Sequence, residues 1–179
     1  ETYIPLLSRL EKLLHDGLHA RLTMTWSPPL CEMLADPLLQ SRYVHRTQRL
    51  LELAEKEVYA KQHSPFAETA VMYRDHLQYC LKAMARFGNN LLRWVRELME
   101  AGVLEPITCT ATHGFLPLML THEARRAQVE IAVDNYRKHF GRRPKGIWLA
   151  ECGYTPGVEE LLKTAGLRYF FVDTHGIYY

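Results

Sequence analysis

The sequence lacks the marks of several large protein classes. Its four cysteines, Cys31, Cys80, Cys109 and Cys152, lie far apart and form no CxxC pair. That excludes the usual signature of a disulfide framework or a zinc site and suits reduced thiols in a cytoplasmic protein. No apolar run is long enough to span a bilayer and no secretory signal is present, so no membrane partner is expected. Neither sign of charge dominates: 22 Lys and Arg stand against 20 Asp and Glu, a formal net charge of +2. The one basic cluster, Arg142, Arg143 and Lys145, reads as a solvated helix end, so no nucleic-acid partner is expected. Repeats and low-complexity segments are absent. His45, His63 and His76 lie in helical stretches without ligand spacing, and no metal or other cofactor is expected.

What is present is ordinary globular composition, 47% hydrophobic and 23% charged over 179 residues, enough for one domain with a real core. There is no initiator Met, Glu1 stands one residue before a helical pattern, and Tyr178-Tyr179 follows a strand and its loop. The expectation is a portion of a longer chain.

Periodicity orders the chain. Ile4, Leu7, Leu10, Leu13 and Leu14 predict a helix over 2–15, stopped by Gly17. Alternation over 18–25 predicts a strand, followed by the Trp26-Ser27-Pro28-Pro29 loop and a short helix over 30–35. Asp36-Pro37 and Ser64-Pro65 signal starts for two long helices, over 38–62 and 66–99, the second broken near Gly88. Together they exceed one crossover helix, so an inserted helical segment is expected at about 37–100. A strand over 103–110 follows, then a helix over 121–139 stopped by Gly141. A short apolar strand over 147–150 ends at Glu151, and Thr155-Pro156 reads as the start of a helix over 157–165. The last strand, over 168–172, runs into Asp173-Thr174-His175-Gly176. Strands separated by crossover helices should be parallel, which gathers their carboxyl ends, and the residues there, at one edge.

Those edge residues carry a resemblance. Trp148-Leu149-Ala150-Glu151-Cys152-Gly153-Tyr154 resembles the nucleophile-bearing motif of glycoside hydrolase family 57, most closely its 1,4-α-glucan branching enzymes. Thr25-Trp26-Ser27-Pro28, Ala111-Thr112-His113-Gly114-Phe115-Leu116-Pro117-Leu118 and Asp173-Thr174-His175-Gly176 are similar to further motifs of those enzymes. The resemblance implies an α/β fold, with residues 1–179 forming part of an incomplete (β/α)7 TIM-like catalytic barrel with parallel strands. It implies a retaining enzyme acting on α-1,4-glucans such as amylose, glycogen or starch, with Glu151 as nucleophile. Trp26, His113, Trp148, Tyr154, Asp173 and His175 are the implied substrate-binding set. Trp26 either stacks on a sugar ring or fills the barrel mouth; His113 bonds a sugar hydroxyl or the nucleophile.

Retaining cleavage needs a second carboxyl about 5–5.5 Å from the first. The family's acid/base is an Asp of a later motif that matches no position before Tyr179, and its His-rich first motif would precede Glu1. Hydrolysis, as in an α-amylase, and 4-α-glucan transfer are the alternatives within the family. A metal-dependent polysaccharide deacetylase would take Asp173 and His175 as ligands but lacks a third. A non-catalytic carbohydrate-binding module would leave Glu151 without a role.

Overall fold

In the computed structural model, residues 2–174 are described. A four-stranded sheet, β1 (Leu22–Thr25), β2 (Leu104–Cys109), β3 (Gly146–Trp148) and β4 (Tyr169–Phe170), is ordered as in the sequence, and every neighbouring pair is parallel. The register runs from Leu22 beside Leu104 to Thr25 beside Ile107, then Thr108 beside Ile147 and Ile147 beside Phe170. This is the α/β architecture with parallel strands that the sequence led us to expect.

Helix α1 (Tyr3–His15) buries Ile4, Leu7 and Leu10. Helix α2 (Pro28–Ala35) starts where the Ser27 hydroxyl accepts the Leu30 N–H at 3.4 Å, with proline at its first position. Helix α3 (Pro37–Ala60) repeats the device: the Asp36 carboxylate accepts the Leu39 N–H at 3.0 Å. Helices α4 (Ala67–Arg86) and α5 (Leu91–Glu100) are separate, because Gly88 and Asn89 take positive φ values of 60° and 63°. Asn90 then caps α5 through the Leu92 N–H at 3.0 Å. Helix α6 (His122–Phe140) is capped by Thr121 and stopped by Gly141. Helix α7 (Val158–Thr164) is short.

The core lies where these helices cover the sheet. One cluster joins α1, α2, α5 and the last turns of α4 and α6 to β2 around Leu7, Met84, Trp94, Val95 and Leu104, with Met24 of β1 packed against it; a second joins α6 and α7 to β3 around Val129, Ile147, Leu149 and Leu162. Helices α3 and α4 pack on each other as a hairpin, whereas α5 packs on β2, α1 and α2. Residues 37–86 thus form a helical hairpin whose second helix enters the core at Cys80, Ala83 and Met84, and α5 is the crossover helix that feeds β2.

Three expected boundaries shift. The strand expected over 18–25 begins at Leu22, because its ladder starts only where the Leu22 N–H reaches the Val103 carbonyl at 2.9 Å; Leu18 is exposed. The helix expected at Thr155-Pro156 begins at Val158, after Gly157. There the Glu159 carboxylate accepts the Gly157 N–H at 2.8 Å, while Thr155 offers only its backbone carbonyl, to Val158. Ser64 likewise does not cap α4 directly; its hydroxyl accepts the Phe66 N–H at 3.2 Å one residue before the helix starts. No helix among the described residues is long and apolar enough to cross a membrane.

Candidate active site

Two loops meet at the carboxyl edge of the sheet. The loop leaving β2 turns at once: the His113 N–H donates to the Thr110 carbonyl at 3.0 Å, and the Thr110 hydroxyl donates to the Gly114 carbonyl at 3.2 Å. His113 closes this turn with φ of 56°. The chain leaving β3 makes a single 3-10 turn, Ala150–Cys152, in which Glu151 and Cys152 have φ of 50° and 54°. A non-glycine residue in the left-handed region is strained by about 1–3 kcal/mol and persists only when its surroundings hold it there. Three such residues converge on one contact, between His113 Nε2 and Glu151 Oε1 at 3.4 Å. Both side chains are open to an incoming molecule, 50% and 81% exposed.

The His113 loop is held from behind by α6. The Thr112 N–H donates to Gln128 Oε1 at 3.0 Å, Gln128 Nε2 donates to the Thr112 hydroxyl at 2.8 Å, and the Ala111 N–H donates to the Gln128 carbonyl at 2.9 Å. The two loops also touch each other. A Cβ placed on Gly153 would overlap the Phe115 ring edge, so only glycine lets the β2 loop lie against the β3 loop there. Gln128 and Phe115 are site residues that sequence reasoning missed. Gln128 sits inside an ordinary amphipathic helix and gave no signal; Phe115 lay in a quoted motif, but its neighbour Gly153 becomes visible only in three dimensions.

The other expected residues divide. Trp148 is half-buried and lies tilted against Phe171, ring centroids 5.5 Å apart. Tyr154 is exposed, stacks on Phe170 at 5.7 Å and donates its hydroxyl to Glu159 Oε2 at 2.9 Å. That bond raises the Tyr154 pKa; the Glu159 carboxyl is held below its usual range first by its own backbone N–H and then by the Tyr154 hydroxyl. Asp173 is exposed beyond β4. Its charge reaches the loop: the Cys152 thiol is pushed up first by desolvation, then by the negative charges of Asp173 and Glu151. His175 lies outside the described residues. Trp26 corrects the expectation of a stacking platform. It is 1% exposed, packs against Tyr3 at 5.5 Å, and its indole N–H finds no partner among the described residues. Of the two expected roles, this burial fits a Trp that fills space in the fold.

The arrangement offers an accessible carboxylate on a strained, braced loop with an imidazole beside it and aromatic rings around it. An accessible carboxylate can act as a nucleophile, and an imidazole beside it can orient it or bond a hydroxyl. The sequence model of glycosyl hydrolase family 57 matches residues 1–178. The chain belongs to glycosyl hydrolase family 57. Within it, the chain is 36% identical to a 1,4-alpha-glucan branching enzyme of Thermococcus kodakarensis, over 97% of this chain and 28% of that protein. Among solved structures it is similar to the alpha-amylase AmyC of Thermotoga maritima, with TM-score 0.92 and 41% identity, over 99% of this chain and 34% of that one. It is similar also to the branching enzyme of Pyrococcus horikoshii, with TM-score 0.92 and 34% identity, over 98% of this chain and 36% of that one. The chain thus spans roughly a third of the length of these relatives.

Proposed function

We propose that these residues supply the nucleophile half of the active site of a 1,4-α-glucan branching enzyme. Glu151 attacks the anomeric carbon of an α-1,4-linked glucose unit while the leaving 4-oxygen takes a proton from an acid outside the described residues. The resulting glycosyl ester on Glu151 is then attacked by a 6-hydroxyl of a second glucan chain, whose proton returns to the group that protonated the 4-oxygen; this restores the carboxylate and creates the α-1,6 branch. His113, 3.4 Å from Glu151, orients the carboxylate or a neighbouring sugar hydroxyl. Trp148 and Tyr154 line the approach, and Asp173 binds a hydroxyl from beyond β4. The substrate is a soluble α-1,4-glucan such as amylose or glycogen, and we place the protein in the cytoplasm, where its free thiols are stable.

The observation that carries the reading is Glu151 itself: a strained and exposed carboxylate at the carboxyl edge of a parallel sheet, touching His113. The likeness to AmyC favours a second reading, hydrolysis, in which water intercepts the same ester. Incubating the full-length protein with amylose and resolving the products by proton NMR and reducing-end assay separates them. Branching predicts new α-1,6 anomeric signals with little rise in reducing ends. A rise in reducing ends without α-1,6 signals would establish the hydrolase reading, and redistribution into linear chains alone the 4-α-glucan transfer reading.

A further inference from the structure

Among the described rings of the two loops and β4, Phe115 stands apart. Trp148 and Phe171 lie against each other, Tyr154 lies on Phe170, and Tyr169 meets Phe171 edge-on. Phe115 has no ring neighbour among the described residues and is 39% exposed. A large apolar ring that this chain leaves partly open beside the Glu151 loop is available to an apolar surface from outside its own core.

Its placement is specified. Phe115 follows His113 by two residues and Gly153 follows Glu151 by two residues, so the Phe115–Gly153 contact lies one step along from the His113–Glu151 contact. Gly153 has φ of −69° and ψ of 117°, a conformation open to any residue; what requires glycine is the space taken by the Phe115 ring edge. Behind the loop, Gln128 fixes Thr112, and the Phe115 carbonyl accepts the Leu118 N–H at 3.2 Å. The ring is therefore held at one edge by Gly153, two residues from the proposed nucleophile, and keeps 39% of the residue's surface open.

We infer that Phe115 is a sugar-stacking, specificity-determining residue of this site. It meets the apolar C–H face of the glucose unit next to the one held at Glu151. The inference rests on the glucan reading above. A flat ring suits a pyranose face because it removes C–H surface from water without requiring any hydroxyl to give up a hydrogen bond. It takes the role that the burial of Trp26 leaves vacant. Gly153 is the positioning residue that lets the ring approach.

The test uses the full-length protein with maltoheptaose binding by calorimetry and initial rates on amylose, for the parent and for Phe115→Leu, Phe115→Tyr and Gly153→Ala. Leu keeps apolar bulk against Gly153 but removes the flat ring; Tyr keeps the ring. For Phe115→Leu we expect Kd and KM to rise about tenfold, equivalent to about 1.4 kcal/mol, with kcat within about threefold of the parent. Phe115→Tyr should restore parent values, and Gly153→Ala, which displaces the ring, should resemble Phe115→Leu. Parent-like Kd and KM in Phe115→Leu would overturn the inference, as would a fall in kcat with KM unchanged. A parent that binds maltoheptaose without acting on amylose would overturn the catalytic reading and leave the Phe115 comparison decisive; a parent that neither binds nor acts would overturn both.

Discussion

Gln128→Ala removes the brace behind His113 without touching substrate, and its effect can be worked out from the bonds it breaks. Two side-chain hydrogen bonds disappear, at 3.0 and 2.8 Å to the N–H and hydroxyl of Thr112. Net contributions of about 0.5–1.5 kcal/mol each apply to typical bonds, and these are exposed, so the total is about 1 kcal/mol. The tie between the Ala111 N–H and the Gln128 carbonyl at 2.9 Å is backbone and survives, so α6 stays in place. The left-handed turn at His113 is strained by a similar amount, about 1–3 kcal/mol. Losing the brace therefore lets the turn relax and carries His113 Nε2 away from Glu151. The melting temperature should fall by no more than about 2–4 °C, the response of a chain this size to 1 kcal/mol. Turnover on amylose should fall about tenfold, mostly in kcat, as expected when a positioning group is lost. Gln128→Glu keeps the acceptor for the Thr112 N–H and replaces the Nε2–H donor with a second acceptor, to which the Thr112 hydroxyl can donate once it rotates, so it should recover most of the loss. Calorimetry and initial-rate kinetics on the full-length protein read both effects. A kcat/KM for Gln128→Ala within twofold of the parent would refute the reasoning.

Two further outcomes follow from packing. Glu32 on α2 accepts from Lys138 Nζ at 2.8 Å and lies 2.8 Å from His139 Nε2 on α6. The Lys138 bond first and the His139 bond second hold its carboxyl at about 2, below the usual 4.5. A lowered folded pKa stabilises above the unfolded value and loses that contribution as pH falls from about 4.5 through about 2. Because Glu32 is nearly half exposed, solvent screens much of the gain. Glu32→Gln should thus lower the melting temperature slightly at pH 7 and flatten its decline between pH 4.5 and 2; a parallel decline in the two proteins would contradict this. Trp26→Phe should alter stability by about 1–2 kcal/mol while leaving KM for amylose unchanged, since the indole is buried and its N–H has no partner among the described residues. A tenfold rise in KM would mean that Trp26 reaches substrate after all.

Which of these features the sequence disclosed depended on the range of the forces behind them. Asp36 and Thr121 were legible as helix starts because a cap is settled within four residues, whereas Ser27 lies in the expected loop and α2 begins two residues earlier than expected. The break at Gly88 was legible for the same reason, though only the packing of α5 on β2 shows that the break also separates the α3–α4 hairpin from the crossover helix. Leu18 alternates like a strand but finds no ladder, because β2 offers a parallel partner only from Leu104 onward. Thr155-Pro156 carries a start signal that loses to Gly157, whose N–H the Glu159 carboxylate takes. Glu151 was placed at the correct edge, but the left-handed turn that lifts it three residues beyond β3 comes from tertiary packing, and no local propensity announces it. The burial of Trp26 and the brace from Gln128 depend on neighbours distant in sequence, so periodicity could not show them.

The central claim is that Glu151 carries the glycosyl group. The most direct measurement is to treat the full-length protein with a mechanism-based glucosyl label and map the modified peptide by mass spectrometry, alongside the Glu151→Gln variant, which keeps the side chain's shape and removes the attacking charge. The account predicts a label on the peptide containing Glu151 in the parent. It predicts no label and a loss of many powers of ten in turnover in Glu151→Gln, with maltoheptaose still bound. A label on another carboxylate such as Asp173, or near-parent turnover in Glu151→Gln, would contradict it.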